Sequence, residues 1–229
     1  MTDPSSDPDQ FRFALARRPA PTFGAGITTR SGDDPPDFAA MATQHQAYIE
    51  TLEGLGLTPV LLDPAPDYPD AHFVEDTAVV TPEVAVIARP GAEARRGETE
   101  TVAPVLAQYR PLRHIEPPGT LDGGDVMTLG RHVFIGESVR TNRAGAEQLA
   151  AILRELGMTA SIVPVGAGLH LKSGVSHIGG GLLLMTGAFA DAEAFAGYDR
   201  VIVPDAEADA ANALWVNGTL LMPAGFPET

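Results

Sequence analysis

The 229-residue sequence predicts an α/β fold built from one unit used several times over. Three observations carry that expectation. A β-β-α-β pattern recurs with a period of roughly forty to fifty residues, the spacing of propellers and arrays. Each later copy opens with a polar or Gly-rich loop directly before its first hairpin strand. The apolar fraction, 44%, is enough for a sizeable core at this length.

In chain order, Phe11–Leu15 reads as a short strand, and the Pro- and Gly-dense stretch Pro19–Gly26 reads as a loop. That loop is a flap tipped by Phe23 or a connector whose Phe packs on the core. From Asp37 a helix is expected, with Phe38, Met41, His45, Tyr48, Ile49 and Leu52 near 3.6-residue spacing and Gly54 and Gly56 as stops. Leu57–Leu62 is a buried strand. The second copy has the hairpin Ala78–Val80 and Val84–Ala88, a basic loop from Arg89 to Arg96, a helix over Glu98–Gln108 containing Pro104, and the strand Arg113–Glu116. The third has Val126–Leu129 paired with Val133–Ile135, a helix over Ala144–Leu156 stopped by Gly157, and the strand Ser161–Val165. The fourth has Val175–Ile178 and Leu182–Thr186, a short helix over Asp191–Phe195, and Arg200–Val203. The last has Leu214–Val216 and Thr219–Met222 around Asn217-Gly218, the strongest short hairpin signal in the chain. A ring of such units would close by pairing its last strand with the lone N-terminal one, and no segment for that pairing follows.

A net charge of −15 argues against nucleic acid, whose phosphates need a basic face, and suits a cationic small ligand drawn in by the field. Simple solubility accounts for it equally well. With no cysteine there is neither a disulfide framework nor a thiol nucleophile. Residues 1–10 lack the basic and apolar regions of a signal peptide, and no apolar run reaches membrane-spanning length. The expectation is a disordered tail over residues 1–10 on a single cytoplasmic domain, residues 11–229.

The leading loops are where chemistry gathers. Thr120–Met127 sets Asp122 and Asp125 around a Gly-Gly pair that allows positive φ or close approach to a ligand. The equivalent loop Asp70–Asp76 carries Asp70, Glu75 and Asp76 around Phe73-Val74. Gly168–Ser173 carries His170 and Lys172, and Asp209–Asn212 opens the last hairpin. In a ring these loops converge on one end of the axis, with Arg95 and Arg140 able to face the same end. Carboxylates, a histidine and arginines in one cleft form an enzyme-like constellation. Each has an ordinary alternative. His170, between two leucines, is equally readable as a core histidine, Asp76 and Asp125 as turn residues bonding local amides, and Arg140 as a surface ion-pair donor. His170 with Asp122 or Glu75 has no second histidine at ligand spacing, so no metal is expected.

Phe73-Val-Glu-Asp-Thr-Ala-Val-Val80, Leu121-Asp-Gly-Gly-Asp-Val126, Arg140-Thr-Asn142 and Leu169-His-Leu-Lys-Ser173, in this order from about residue 11 onward, resemble the dimethylarginine dimethylaminohydrolases. Those enzymes belong to the guanidino-group-modifying superfamily with arginine deiminase and the amidinotransferases. The resemblance implies a pseudo-five-fold α/β propeller of ββαβ units, incomplete at the C-terminus. It implies hydrolysis of N-omega-methylated arginine to citrulline and an amine through a thiolate intermediate, without a cofactor. On this chain it implies His170 as general acid/base and Asp122 as a partner of the guanidinium or of that histidine. Glu75 would bind the substrate guanidinium, Asp76 and Asp70 would line the site, Arg95 and Arg140 would hold the substrate α-carboxylate, Phe73 would contact the substrate, and Phe23 would be the apolar residue of a lid over Thr22–Gly26.

The family's nucleophile is a cysteine near the C-terminus, and this chain has none. By the repeat count the sequence ends about 25–30 residues short, so as written it is expected to be inactive. The expected partner is a small guanidino substrate, with no nucleic acid or membrane and with a homodimer left open. Alternatives are an arginine deiminase-like or other amidino hydrolase or transferase, and a non-catalytic guanidino-ligand binder.

Overall fold

Among the described residues, thirteen strands gather into five small sheets, none paired with another. The computed structural model describes residues 10–28, 36–166 and 168–229, so the expected tail lies outside them except for Gln10. The first sheet pairs β1 (Phe13–Arg17) in parallel with β2 (Thr58–Leu62), joined through helix α1 (Phe38–Gly54). The second runs β3 (Ala78–Val80), β4 (Ala85–Ile87) and β5 (Leu112–His114), with α2 (Thr99–Leu106) crossing from β4 to β5. The third repeats it in β6 (Val126–Leu129), β7 (His132–Glu137), α3 (Arg143–Glu155) and β8 (Thr159–Pro164). The fourth holds β9 (Val175–His177), β10 (Leu182–Met185) and β11 (Asp199–Ile202), and the fifth is the hairpin β12 (Leu214–Val216) and β13 (Thr219–Leu221). In each three-stranded sheet the first pair is antiparallel and the second parallel, the strand pattern of the predicted ββαβ unit.

Two helices differ from expectation. The segment predicted as a helix from Glu98 starts earlier as a 3-10 stretch, Glu93–Glu98, and is α-helical only over Thr99–Leu106. The short helix expected at Asp191–Phe195 is instead a pair of 3-10 turns, Gly187–Phe189 and Glu193–Phe195. So short a segment before Gly197 cannot repay the cost of nucleating an α-helix.

α1 is capped by Asp37, whose side chain accepts from the amides of Ala39 and Ala40, a cap worth about 1 kcal/mol. Only Ile49 and Leu52 of its predicted apolar face are buried. α3 is capped by Asn142 and buries Ala146, Leu149, Ala150 and Leu153 against Val79, Val86, Ile135 and Leu121. A second cluster gathers Phe134, Leu171, Leu183, Met185 and Phe195. Each fully buried large apolar side chain contributes roughly 1.5–3 kcal/mol, so the second, third and fourth units share most of the core that supports the site.

The two ends of the chain meet. Asn217 and Gly218 both take positive φ (47° and 82°), as the predicted tight hairpin turn requires. The Asn217 side chain accepts from the Phe11 amide (2.8 Å) and donates to the carbonyls of Phe11 and Leu55 (3.0 Å each). Leu52, Leu57 and Val216 pack together beneath it. The last unit thus joins the first through side chains and turn polar groups, and no strand pairing links their sheets.

Candidate active site

The 3-10 turns that lead the hairpins, Val74–Thr77, Gly123–Asp125, Leu171–Ser173 and Asp205–Ala211, each touch the next in order. The expected convergence of leading loops is therefore present, and Gly123 and Gly124 make it possible. Neither has positive φ. A Cβ on Gly123 would lie 2.0 Å from the Glu75 carbonyl oxygen, and one on Gly124 would lie 2.7 Å from Asp76 Oδ1 and 2.9 Å from the His170 ring. The glycines permit close approach of protein to protein across three units, rather than a special backbone conformation.

At the meeting point Asp76, Asp122 and His170 are all buried. His170 Nε2 lies 3.2 Å from Asp122 Oδ2 and 3.8 Å from Asp76 Oδ1. The other Asp122 oxygen accepts from the Gly91 amide at 2.9 Å, and the Asp122 amide donates to Thr141 Oγ1. Burial alone would push the His170 pKa down. The hydrogen bond to Asp122 and the negative charges of Asp76 and Asp125 outweigh burial, and its pKa is raised above 6.5. A histidine bonded to a carboxylate within a buried acid cluster is not the backbone-bonded core histidine that was the alternative. The three residues each offer one ligand atom, all within 4.8 Å of one another, a spacing a divalent ion could bridge. Both acids already spend oxygens on internal donors.

Asp76 is held on both sides: Oδ1 accepts from the Gly124 amide at 2.9 Å and Oδ2 from Arg95 Nη1 at 2.6 Å. Arg95 is 5% exposed and uses its whole fork. Its Nε and Nη2 donate to the two Glu98 oxygens, and Nη2 also donates to the carbonyls of Asp70 and Phe73. Burial disfavours the guanidinium, but Glu98 and Asp76 overcome this and raise its pKa. A substrate carboxylate would have to displace these bonds. Asp125 is likewise internal: Oδ1 accepts from the Leu171 amide and Oδ2 from the hydroxyls of Ser138 and Thr141. Burial raises its pKa against those three donors.

The remaining predicted residues are exposed or only partly buried. Glu75 is exposed, and its Oε1 is ion-paired with Lys172 Nζ. Asp70 Oδ2 accepts from the Ile27 amide at 2.9 Å, so it anchors the loop that carries Phe23. That loop contains a 3-10 turn, Pro21–Ala25, and the Phe23 ring rests 6.0 Å from Phe38 and 6.3 Å from His72. Phe73, half exposed, has its ring centroid 4.0 Å from that of His72, the two rings tilted by 41°. Arg140 is half-buried, and its Nη1 is buried with no hydrogen-bond partner among the described residues. Sequence reasoning missed Glu98, Ser138, Thr141 and Gly91. Glu98 had a signal, since an acid three residues after Arg95 is an i,i+3 pair. The other three act through contacts with distant loops.

A family model described as arginine deiminase matches residues 39–175. An N(G),N(G)-dimethylarginine dimethylaminohydrolase of Pseudomonas aeruginosa is 41% identical over 96% of this chain and 87% of its own. The chain belongs to the dimethylarginine dimethylaminohydrolase family. The dimethylarginine dimethylaminohydrolase of Streptomyces coelicolor is 38% identical over 94% of this chain and 83% of its own. A solved Pseudomonas aeruginosa dimethylarginine dimethylaminohydrolase, a cysteine-to-serine mutant complexed with citrulline, superposes with a TM-score of 0.92 at 41% identity, covering 95% of this chain and 86% of that one. The dimethylarginine dimethylaminohydrolases are hydrolases acting on guanidino groups, so the expected α/β fold and enzyme class both stand. Among the described residues no helix is long and apolar enough to cross a membrane.

Proposed function

We propose that this site binds N-omega-methylated arginine by its guanidinium and carries the proton-transfer half of its hydrolysis to citrulline and dimethylamine. The observation that carries the reading is the buried His170–Asp122 pair at 3.2 Å, set beside Asp76 on the loop that also carries Glu75 and Asp70. A guanidinium is planar and positive, and carboxylates grip its N–H groups pairwise. Glu75 is the acid best placed to do so, because its carboxylate is not built into the wall. Asp76, fixed by Arg95 and Gly124, supplies negative charge at a set position. His170 delivers a proton to the departing amine and then activates water, with Asp122 orienting the ring and stabilising its charged form. Arg140, with an unsatisfied buried N–H, takes the α-carboxylate. Arg95 positions Asp76 and the carbonyls of residues 70 and 73 instead of meeting substrate.

Attack on a guanidinium carbon calls for a strong nucleophile, in this family a thiolate that forms a covalent intermediate. The 229 residues contain no cysteine. In this reading the chain as written therefore binds and does not turn over. Titration calorimetry with asymmetric dimethylarginine on this chain tests it, alongside an assay for citrulline. The expected result is binding in the range of roughly 1 μM to 1 mM usual for enzyme substrates, and no citrulline. Absence of binding overturns the guanidinium assignment, and citrulline formation overturns the thiolate requirement.

A further inference from the structure

Among the described residues near His170, Lys172 is a cation whose role the reaction leaves open. Its backbone is fixed from beneath, because Leu171 is fully buried and its amide donates to Asp125. From there the four-carbon stem crosses to the loop led by residue 74, where Nζ pairs with Glu75 Oε1. The Lys172 side chain is 23% exposed and that of Glu75 is 65% exposed. Each of the neighbouring acids has a partner built into the wall: Asp76 has Arg95, and Asp122 has His170 and Gly91. Glu75 alone is balanced by a flexible side chain that can leave.

We propose that Lys172 is a built-in stand-in for the substrate cation, holding Glu75 in the empty site, yielding it to an incoming guanidinium, and reclaiming it once the ligand is neutral. The inference rests on the functional reading above. Hydrolysis supplies the necessary change of charge. The dimethylguanidinium takes up water, its carbon–dimethylamino bond breaks, and the positive charge departs with dimethylammonium, leaving an uncharged ureido group on citrulline. A cationic ligand must open the Lys172–Glu75 pair to reach both Glu75 oxygens. A neutral one gains too little from Glu75 to keep Lys172 away. Lys172 thereby penalises the substrate more than the product and narrows the difference between their affinities.

The test compares asymmetric dimethylarginine and citrulline by titration calorimetry on the wild-type chain, Lys172→Met and Lys172→Arg. A partly exposed ion pair is weak, so Lys172→Met should bind dimethylarginine about two- to fivefold more tightly. Its affinity for citrulline should change less, widening the preference for the cation, while Lys172→Arg stays close to wild type. Lys172→Gln provides the same comparison if the methionine variant fails to fold. Weaker binding of dimethylarginine in the uncharged variants, or an equal shift for both ligands, overturns the proposal and makes Lys172 a clamp on Glu75. Failure of every form to bind dimethylarginine overturns the functional reading itself, a distinct result.

Discussion

An alanine at position 123 would place its methyl carbon 2.0 Å from the carbonyl oxygen of Glu75 and 3.1 Å from that of Ala78. Both oxygens are main-chain atoms, so no rotamer change relieves the contact. The turns at 74–77 and 123–125 must move apart by about 1 Å before carbon and oxygen reach a tolerable separation. That movement stretches the bond from the Gly124 amide to Asp76 Oδ1, now 2.9 Å. Overpacking of this kind costs about 1–3 kcal/mol, and a weakened buried bond to a carboxylate adds up to roughly 1.5–3 kcal/mol. We therefore expect Gly123→Ala to lose about 3 kcal/mol. In a chain of this size that corresponds to a fall of roughly 6–12 °C in melting temperature. Urea denaturation followed by the fluorescence of Trp215, the single tryptophan, measures the loss directly. Because Glu75 and Asp76 move with the turn, dimethylarginine binding should also weaken by at least about tenfold, given how steeply such sites depend on ångström-scale placement. A variant within about 0.5 kcal/mol of wild type, the scatter of ordinary surface substitutions, would refute the claim that the glycine pair exists for close approach.

Arg95→Met should be as damaging for a different reason: it strands Asp76 and Glu98 as unpaired carboxylates in a buried setting, a loss of roughly 3–5 kcal/mol. Arg95→Lys should recover only part of that, since one ammonium cannot reproduce the fork; equal urea midpoints for the two variants would contradict the role given to the guanidinium. The His170 ring, followed by NMR, should titrate above 6.5 and move downward in Asp122→Asn. The native imidazolium is the favoured form, so its contribution to stability is fully present below pH 6.5 and disappears as pH rises through the raised native pKa. Wild type should therefore exceed Asp122→Asn in stability most clearly at the acidic end of that window, and a His170 titration at or below 6.5 would count against the pairing.

What the sequence makes legible is mostly local. The ββαβ period, the Asn217-Gly218 hairpin, the helix start at Asp37 and the polar loops before the hairpins all follow from spacing and turn chemistry. The assignments that moved are those where local preference is weak: the 93–106 segment divides into 3-10 and α portions, and the 191–195 segment is too short to be helical. In the site, residue types were readable and partnerships were not. Asp76 meets Gly124 and Arg95, and Asp125 meets Leu171, through contacts between units far apart in the chain. No periodicity reports such contacts. Arg95 illustrates the limit. The family resemblance reads it as a carboxylate binder, and only its burial and its five hydrogen bonds to Asp76, Glu98 and two carbonyls show an internal tie. Asp70 is similar, since an acid near the cleft reads as a ligand contact, whereas its oxygen holds the Ile27 amide.

The buried cluster beside His170 already encloses a guanidinium of its own, that of Arg95, gripped by Asp76, Glu98 and two carbonyls. Adaptability is therefore unevenly distributed. Altering Asp76 to suit a differently substituted ligand would undo the same contact that keeps the loops at 70–76 and 93–98 together. Glu75, Lys172 and Arg140 carry no such dual duty. A change of ligand preference, by drift or by design, has room along the outer edge of the cleft and almost none at its floor.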